Sequence, residues 1–317
     1  MKIAVLNECF LSPEDKIKLQ QLGELIEYQN TTTQELAIER LKDVDIAIVD
    51  GILFPSTKTV LESTNTLKLL ILNTTGYDGV DMKAANSKNI KVVNAGSYAN
   101  EAVAEQTFLL MLSAARRLRM ADKFARSSPT PVDPGHKDHQ QLLGFELKGK
   151  TLGIVGLGHI GCRVGEIATG FGMEVIAYNR SEKQVSCVKE QLPLGDLLKK
   201  SDVVSLHLAS SAETKHIIGE KEFSLMKPSS ILINTARGNL VDSTALQKAL
   251  ETQQIAGAGL DVLEDWSTNN SLFQLQNVVI TPHISFFTQE SLARLSKVIV
   301  ENVKSFLNGN PINIVDS

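Results

Sequence analysis

Residues 150–180 read KTLGIVGLGHIGCRVGEIATGFGMEVIAYNR, and no other stretch restricts the fold as severely. The apolar run 152–155 has the unbroken character of a strand buried on both faces of a parallel sheet. Gly156-Leu157-Gly158-His159-Ile160-Gly161 follows directly. Ile160, Val164, Ile167, Ala168 and Phe171 then recur at helical spacing, and 175–178 reads as a second strand. Strand, glycine-rich turn, helix and strand make the dinucleotide-binding unit. Gly156 permits the tight turn and Gly158 admits a pyrophosphate close to backbone N–H groups. Gly161 lets the helix pack on the strand, and the helix N-terminus faces the anion. Three glycines at this spacing also mark ordinary turns; the strand before and the helix after make this one a cofactor site.

A chain of 317 residues is long for a single core, so two domains are expected. In residues 1–98, strands at 3–6, 44–49, 67–72 and 90–93 alternate with helical patterns. The first of these patterns spans 14–26, with Ile17, Leu22, Leu25 and Ile26 on one side. Such alternation implies a parallel sheet with right-handed crossovers, and ligands gather beyond the carboxyl ends of its strands. Those ends are Asp50-Gly51, 73–77 and 94–96. The small polar loop 73–77 suits an anion or an ordinary turn equally. Leu53 and Phe54, with Phe286 and Phe287, are placed to line a pocket for an apolar or small side chain.

A long helix is expected over 101–126. Its apolar part, with Val103, residues 108–112, Ala114 and Ala115, is covered either by its own domain or by a second subunit, and a homodimer is the favoured partner. Residues 127–141 form a turn-rich loop, and its His136-x-x-His139 pair lacks a third ligand, so no metal is expected. Further strands fall at 203–208, 231–234, 259–262 and 278–281, and residues 289–307 form an amphipathic helix stopped by Gly309-Asn310-Pro311. Net charge is −4, which speaks against nucleic acid or an anionic membrane as partner. No apolar run approaches the roughly 20 residues of a bilayer span. Cys9, Cys162 and Cys187 are too few and too scattered for a disulfide framework, so a cytoplasmic location is expected.

Four strands of the second half end in polar residues: His207, Thr235-Ala236-Arg237, Asp261 and His283. With a nicotinamide present, the usual chemistry is hydride transfer to or from a carbonyl carbon. Arg237 can fork onto a substrate carboxylate and polarise the neighbouring carbonyl. His283 is either the general acid that such a reaction needs or a packed imidazole. A carboxylate beside it would raise its pKa and hold its ring, and Glu264 and Asp265 are the candidates.

GLGHIG (156–161), LINTARGNLVD (232–242), AGLDVLED (258–265) and NVVITPHI (277–284) together resemble the D-isomer-specific 2-hydroxyacid dehydrogenases. TTGYDGVD (74–81), NEAVAEQTFLLML (100–112) and HLASSAETKHIIG (207–219) carry the resemblance through nearly the whole chain. It implies two doubly wound α/β domains: a flavodoxin-like substrate domain, residues 1–98 and 288–317, and an inserted Rossmann NAD(P)-binding domain, residues 99–287. It implies a cleft between them and a dimer through the long helix. It also implies that Arg237 binds the substrate carboxylate, that His283 is the acid/base and that Thr75 and Gly76 meet the substrate. Cofactor contacts would come from Gly156, Gly158, His159, Ile160, Gly161, His207, Thr214, Thr235, Ala236, Asp261 and Thr107.

Two positions depart from the family pattern. Trp266 stands where the family's catalytic glutamate usually sits, five residues after Asp261, and the loop before Ser271-Leu272-Phe273 is shorter than in the family pattern. Glu264 takes the role if the gap falls before it, and otherwise Asp265 substitutes or His283 acts without a carboxylate. Asn179, followed by Arg180 and Ser181, stands where NAD-specific members have an aspartate. A neutral residue next to an arginine suits a 2′-phosphate, so NADP(H) is favoured over NAD(H). The expected activity is NAD(P)-dependent reduction of a small 2-keto acid, of the glyoxylate, hydroxypyruvate or pyruvate kind. The alternative is a catalytically weak nucleotide-sensing protein on the same fold. HISFFT (283–288) resembles the D-lactate branch, while TTGYD (74–78) resembles the glycerate and hydroxypyruvate branch.

Overall fold

The computed structural model describes residues 1–127 and 130–315 as two compact units, Met1–Ala99 with Phe287–Ser317, and Asn100–Phe286. Ser128 and Pro129, part of the turn-rich loop, lie outside the described residues.

The first unit alternates strands β1 (Lys2–Val5), β2 (Glu24–Glu27), β3 (Ile46–Val49), β4 (Leu69–Leu72) and β5 (Lys91–Val93) with helices α1 (Pro13–Leu22), α2 (Gln34–Arg40), α3 (Lys58–Ser63) and α4 (Met82–Ser87). All pairings are parallel and the order is β2-β1-β3-β4-β5, the doubly wound arrangement of flavodoxin-like sheets. Side chains cap the helix starts: Ser12 accepts from the Asp15 N–H, Thr33 from Leu36, Thr57 from Val60 and Asp81 from Ala84. The helix expected over 14–26 is shorter, because Gly23 ends it. A Cβ at Gly23 would stand 2.5 Å from the Met1 carbonyl, and the following Glu-Leu-Ile-Glu pairs with β1 as an edge strand. Phe54 belongs to the core and not to a pocket, whereas Leu53 is exposed.

The second unit begins with α5 (Asn100–Ala115), α6 (Leu118–Ser127) and the single turn α7 (Lys137–Gln140). Strands β6 (Thr151–Val155), β7 (Glu174–Tyr178), β8 (Glu190–Gln191), β9 (Val203–Leu206), β10 (Ile231–Asn234), β11 (Gly257–Leu260) and β12 (Val278–Ile280) follow. They are interleaved with α8 (His159–Gly170), α9 (Leu194–Lys200), α10 (Glu220–Leu225) and α11 (Ser243–Glu251). Order β12-β11-β10-β9-β6-β7-β8 is the Rossmann order, and it reverses between β6 and β9. The central strands feed two cores by alternation. Leu152, Ile154, Val175, Ala177, Ile231 and Ile233 enter one, while Val155, Ile176 and Leu232 enter the other.

The long helix of the sequence reading is two helices. Arg117 adopts a left-handed backbone, φ 51°, and its Nε donates to the Leu143 carbonyl at 3.0 Å. Helix α5 is mostly covered within its own unit, against α8 and the strands β10 and β11. Helix α6 buries no residue.

The final helix α12 (Gln289–Leu307) belongs to the first unit. Buried Asp15 joins it to α1: its carboxylate accepts from Ser296 Oγ at 2.6 Å, Lys18 Nζ at 2.7 Å and Ser12 Oγ at 3.0 Å. Burial works against its charge, but these donors outweigh it and hold the pKa below the usual carboxylate value. Asn302 Nδ2 adds a bond to the Asn94 carbonyl at 2.9 Å. Among the described residues no helix is long and apolar enough to cross a membrane, and no three His, Cys, Asp or Glu residues group as metal ligands.

Candidate active site

The glycine turn sits at the β6 carboxyl end, at the point where strand order reverses. Gly156 has φ 105°, and a Cβ there would lie 2.8 Å from the His207 carbonyl at the end of β9. At Gly161 a Cβ would come within 2.1 Å of the Gly156 carbonyl, which is why the helix can seat so close. Around Gly158 a Cβ would meet nothing within 4 Å. One glycine therefore makes the turn, another lets the helix approach, and the third leaves open space in front of the α8 N-terminus. This is the layout that accepts a dinucleotide pyrophosphate.

Asn179, at the end of β7, accepts the Leu157 N–H on Oδ1 at 3.1 Å and donates from Nδ2 to the Ser181 carbonyl at 2.7 Å. Arg180 has a 90% exposed side chain, with one guanidinium nitrogen 3.5 Å from Glu213. Lys183, not singled out from sequence, donates from Nζ to the Leu157 carbonyl at 2.8 Å and so lies over the glycine turn. The signal for it was modest: a second cation three residues after Arg180. Tyr178, Asn179, Lys183 and Val185 help to line a cavity of about 850 Å³ beside this strand end.

His207 donates or accepts at Nε2 with Ser205 Oγ, 2.8 Å away. The residue keeps a partly exposed edge, but its ring is desolvated, and this pushes its pKa down to about 3. It is a neutral imidazole at physiological pH. Thr214 is occupied locally: its hydroxyl donates to the Ala209 carbonyl at 2.8 Å and accepts the Ser211 N–H at 2.8 Å. Thr107, buried on α5, touches Thr235 hydroxyl to hydroxyl at 2.9 Å.

Arg237 leaves β10 through a turn built by buried Asn234. The Asn234 side chain accepts from the Ala236 N–H at 3.0 Å and donates to the Arg237 carbonyl at 2.8 Å. The guanidinium donates to the Ala236 carbonyl at 2.8 Å. Gly238 then passes flush against the next strand's exit, where a Cβ would lie 2.1 Å from the Leu263 carbonyl carbon.

His283 follows β12 in a left-handed conformation, φ 55°, which is uncommon for a residue bearing a Cβ. Asp261, with no solvent exposure, explains how it is held. The Asp261 carboxylate accepts from Thr281 Oγ1 at 2.5 Å, Ile284 N–H at 3.0 Å, Ser285 N–H at 2.9 Å and Ser285 Oγ at 2.5 Å. Its carbonyl also accepts the His283 N–H at 2.9 Å. A residue expected at the nicotinamide thus also builds the turn beneath the histidine.

Both hydrogen bonds of the Glu264 carboxylate run to His216 Nε2, each 3.0 Å long. Asp265 accepts the Ser267 N–H and hydroxyl, both at 2.8 Å, and these bonds hold its pKa below the usual range. Trp266 is half-exposed and tilts toward Phe273 at 6.4 Å. His216 went unremarked in the sequence, since nothing in its neighbourhood marks it as a partner for a carboxylate 48 positions on.

In the first unit, Thr75 Oγ1 donates to the Gly96 carbonyl at 2.9 Å, and Asn94 Nδ2 donates to the Thr75 carbonyl at 2.7 Å. Thr74 Oγ1 reaches the Gly76 carbonyl at 2.7 Å. Thr75 and Gly76 therefore stand in a braced loop at the carboxyl end of β4.

The model of the NAD-binding domain of D-isomer-specific 2-hydroxyacid dehydrogenases matches residues 108–285. A glyoxylate reductase of Thermococcus litoralis is 39% identical over 312 residues, covering 96% of this chain and 94% of its own. An acyclic imino acid reductase, solved with NADPH and D-Arg, superposes with TM-score 0.94 at 36% identity, each chain fully covered. A D-lactate dehydrogenase of Aquifex aeolicus, solved with NAD and lactic acid, gives TM-score 0.87 at 31% identity and 99% coverage of both chains.

Asp261→Asn is expected to put an amide N–H against donors that need an acceptor. The loss should be about 3 kcal/mol or more in chemical denaturation, following the cost of unmade buried hydrogen bonds, and activity should fall with it. An unchanged midpoint would mean that the 281–285 turn stands without this carboxylate.

Proposed function

The chain belongs to the D-isomer-specific 2-hydroxyacid dehydrogenases, and from that premise we propose that it reduces a small 2-keto acid with Arg237 and His283 as its working side chains. It is a nicotinamide-dependent oxidoreductase acting on a CH–OH group. One observation carries the assignment of residues. An arginine and a histidine leave β10 and β12 at the sheet edge that bears the glycine turn, each in a turn locked by a buried Asn or Asp.

The residues around Gly158 fit a dinucleotide, which when bound supplies or accepts the hydride. Arg237 takes the substrate carboxylate in a two-pronged contact and draws electron density from the neighbouring carbonyl. His283, protonated, gives its proton to the oxygen as negative charge builds there, and takes it back when a hydroxy acid is oxidised. Thr75 and Gly76 are the substrate contacts proposed from the first unit.

A second reading is reduction of the imine of a 2-keto acid. Two features favour it: Trp266 replaces the family's usual glutamate, and the Glu264 bonds run to His216. A protonated C=N accepts hydride without receiving a proton, so the demand on a histidine–carboxylate pair falls. The neighbouring imino acid reductase structure supports this reading by likeness.

For the cofactor, NADP(H) is proposed over NAD(H). Asn179 removes the carboxylate that would repel a 2′-phosphate, and Arg180 and Lys183 supply positive charge near it. A homodimer is proposed through the open apolar surface of the second unit, where Leu109, Leu118 and Leu143 are 51%, 53% and 77% exposed.

Arg237→Ala and His283→Ala, assayed with glyoxylate, pyruvate and hydroxypyruvate, should each lose about a hundredfold or more in kcat/KM; wild-type rates in either would remove that residue's role. Adding methylamine separates the two substrate readings, because only imine reduction yields an N-methyl amino acid. Arg180→Ala should raise KM for NADPH by about tenfold and leave NADH unaffected, and equal effects on both would remove the 2′-phosphate assignment. Leu118→Glu should convert a dimer to a monomer in sedimentation; a wild-type monomer would refute the homodimer.

A further inference from the structure

Glu264 and His216 do not stand alone: they grip the segment that carries Arg237. Just before β10's exit loop turns back, residues 238–242 run beside residues 216–218. The His216 N–H donates to the Asn239 carbonyl at 2.8 Å, the Ile218 N–H to the Leu240 carbonyl at 3.1 Å, and the Asp242 N–H to the Ile218 carbonyl at 3.0 Å. Ile218 and Val241 form a parallel bridge. On the other side, residues 263–264 press on Gly238 so closely that a Cβ would overlap the Glu264 nitrogen at 2.3 Å.

The His216 ring closes this sandwich. Its Nε2 meets both Glu264 carboxylate oxygens at 3.0 Å, and its Nδ1 lies 3.9 Å from Asp242 Oδ2. His216 itself holds a left-handed backbone, φ 52°. The side chains of His216 and Glu264 are each about one-third exposed, so the pair adds little to the stability of the whole unit. What it does is couple three separate segments that meet at Gly238, the residue after Arg237.

We propose that Glu264, acting through His216, is a positioning residue for Arg237 and thus for the substrate carboxylate, and not the acidic partner of His283. This rests on the reading of Arg237 given above. The pair fixes the 237–239 turn from the side facing β11, while Asn234 fixes it from the side facing β10. Substrate binding, more than the chemical step, therefore depends on it.

The test is steady-state kinetics with a 2-keto acid at saturating cofactor on Glu264→Gln, His216→Gln, the double variant and Arg237→Ala. Glu264→Gln and His216→Gln should each raise KM by about five- to tenfold with kcat within about twofold. The pH profile of kcat should stay where the wild type has it, and the double variant should be no worse than the worse single one. A large fall in kcat with a shifted pH profile in Glu264→Gln, with His216→Gln normal, would give Glu264 to His283 and overturn the proposal. So would a wild-type KM in both single variants. Dinucleotide binding reports whether each variant is folded, and if Glu264→Gln fails it, His216→Gln alone decides by the same criteria. A wild-type KM in Arg237→Ala is a different failure, since it removes the arginine's assignment and the clamp with it.

Discussion

A single buried carboxylate does more than any other group to give the second unit its working edge. Asp261 has no contact with water, and an isolated charge there would be costly. The cost is offset by four donors from residues 281, 284 and 285, all on the segment that follows β12. Those bonds force the chain between them into a tight loop, and His283 takes a left-handed backbone because it stands at the loop's apex. The strain at the histidine and the charge at the aspartate are therefore two sides of one arrangement.

The same economy recurs at the other strand ends. Asn234 uses both ends of its amide on the turn beneath Arg237, and Asn179 spans from the glycine turn to Ser181. In each case a short side chain at the last position of a buried strand, or one residue past it, satisfies backbone groups that the sheet can no longer pair. The side chain proposed to work at the site then comes one to three residues later. His207, neutral because its ring is desolvated, serves the same edge without bringing charge to it.

Much of this was legible in the residues. Long periodic segments were unambiguous: α12 was readable from its apolar stripe and α8 from the glycine turn, and the parallel sheets from apolar runs alternating with helical patterns. Boundaries set by close backbone approach were not. Gly23 ends α1 because Met1 is pressed against it, a contact invisible along the chain. Arg117 breaks the expected long helix where its side chain is tied to Leu143, 26 positions away. Phe54 is a core residue because the 51–54 turn folds it inward, while Leu53 faces out. The site followed the same division. Arg237 and His283 were marked by their positions after apolar runs, whereas the partner of Glu264 is a histidine on another loop. Pairings of that kind depend on which strand ends lie side by side, and the sheet order alone decides it.

The placement of α12 has a consequence for how the protein comes to be made. The second unit is one continuous run, 100–286, so all its strands are available as soon as that run has been synthesised. The first unit is not continuous. Its five strands are complete by residue 93, yet the helix that receives Asp15 and Asn94 is made only after the whole of 100–286. Until then the acceptor side of Asp15 lacks Ser296, and the face of β4 that α12 covers stays open. The nascent chain must therefore carry this sheet with one face uncovered through the entire synthesis of the second unit, until the segment from Phe287 onward covers it.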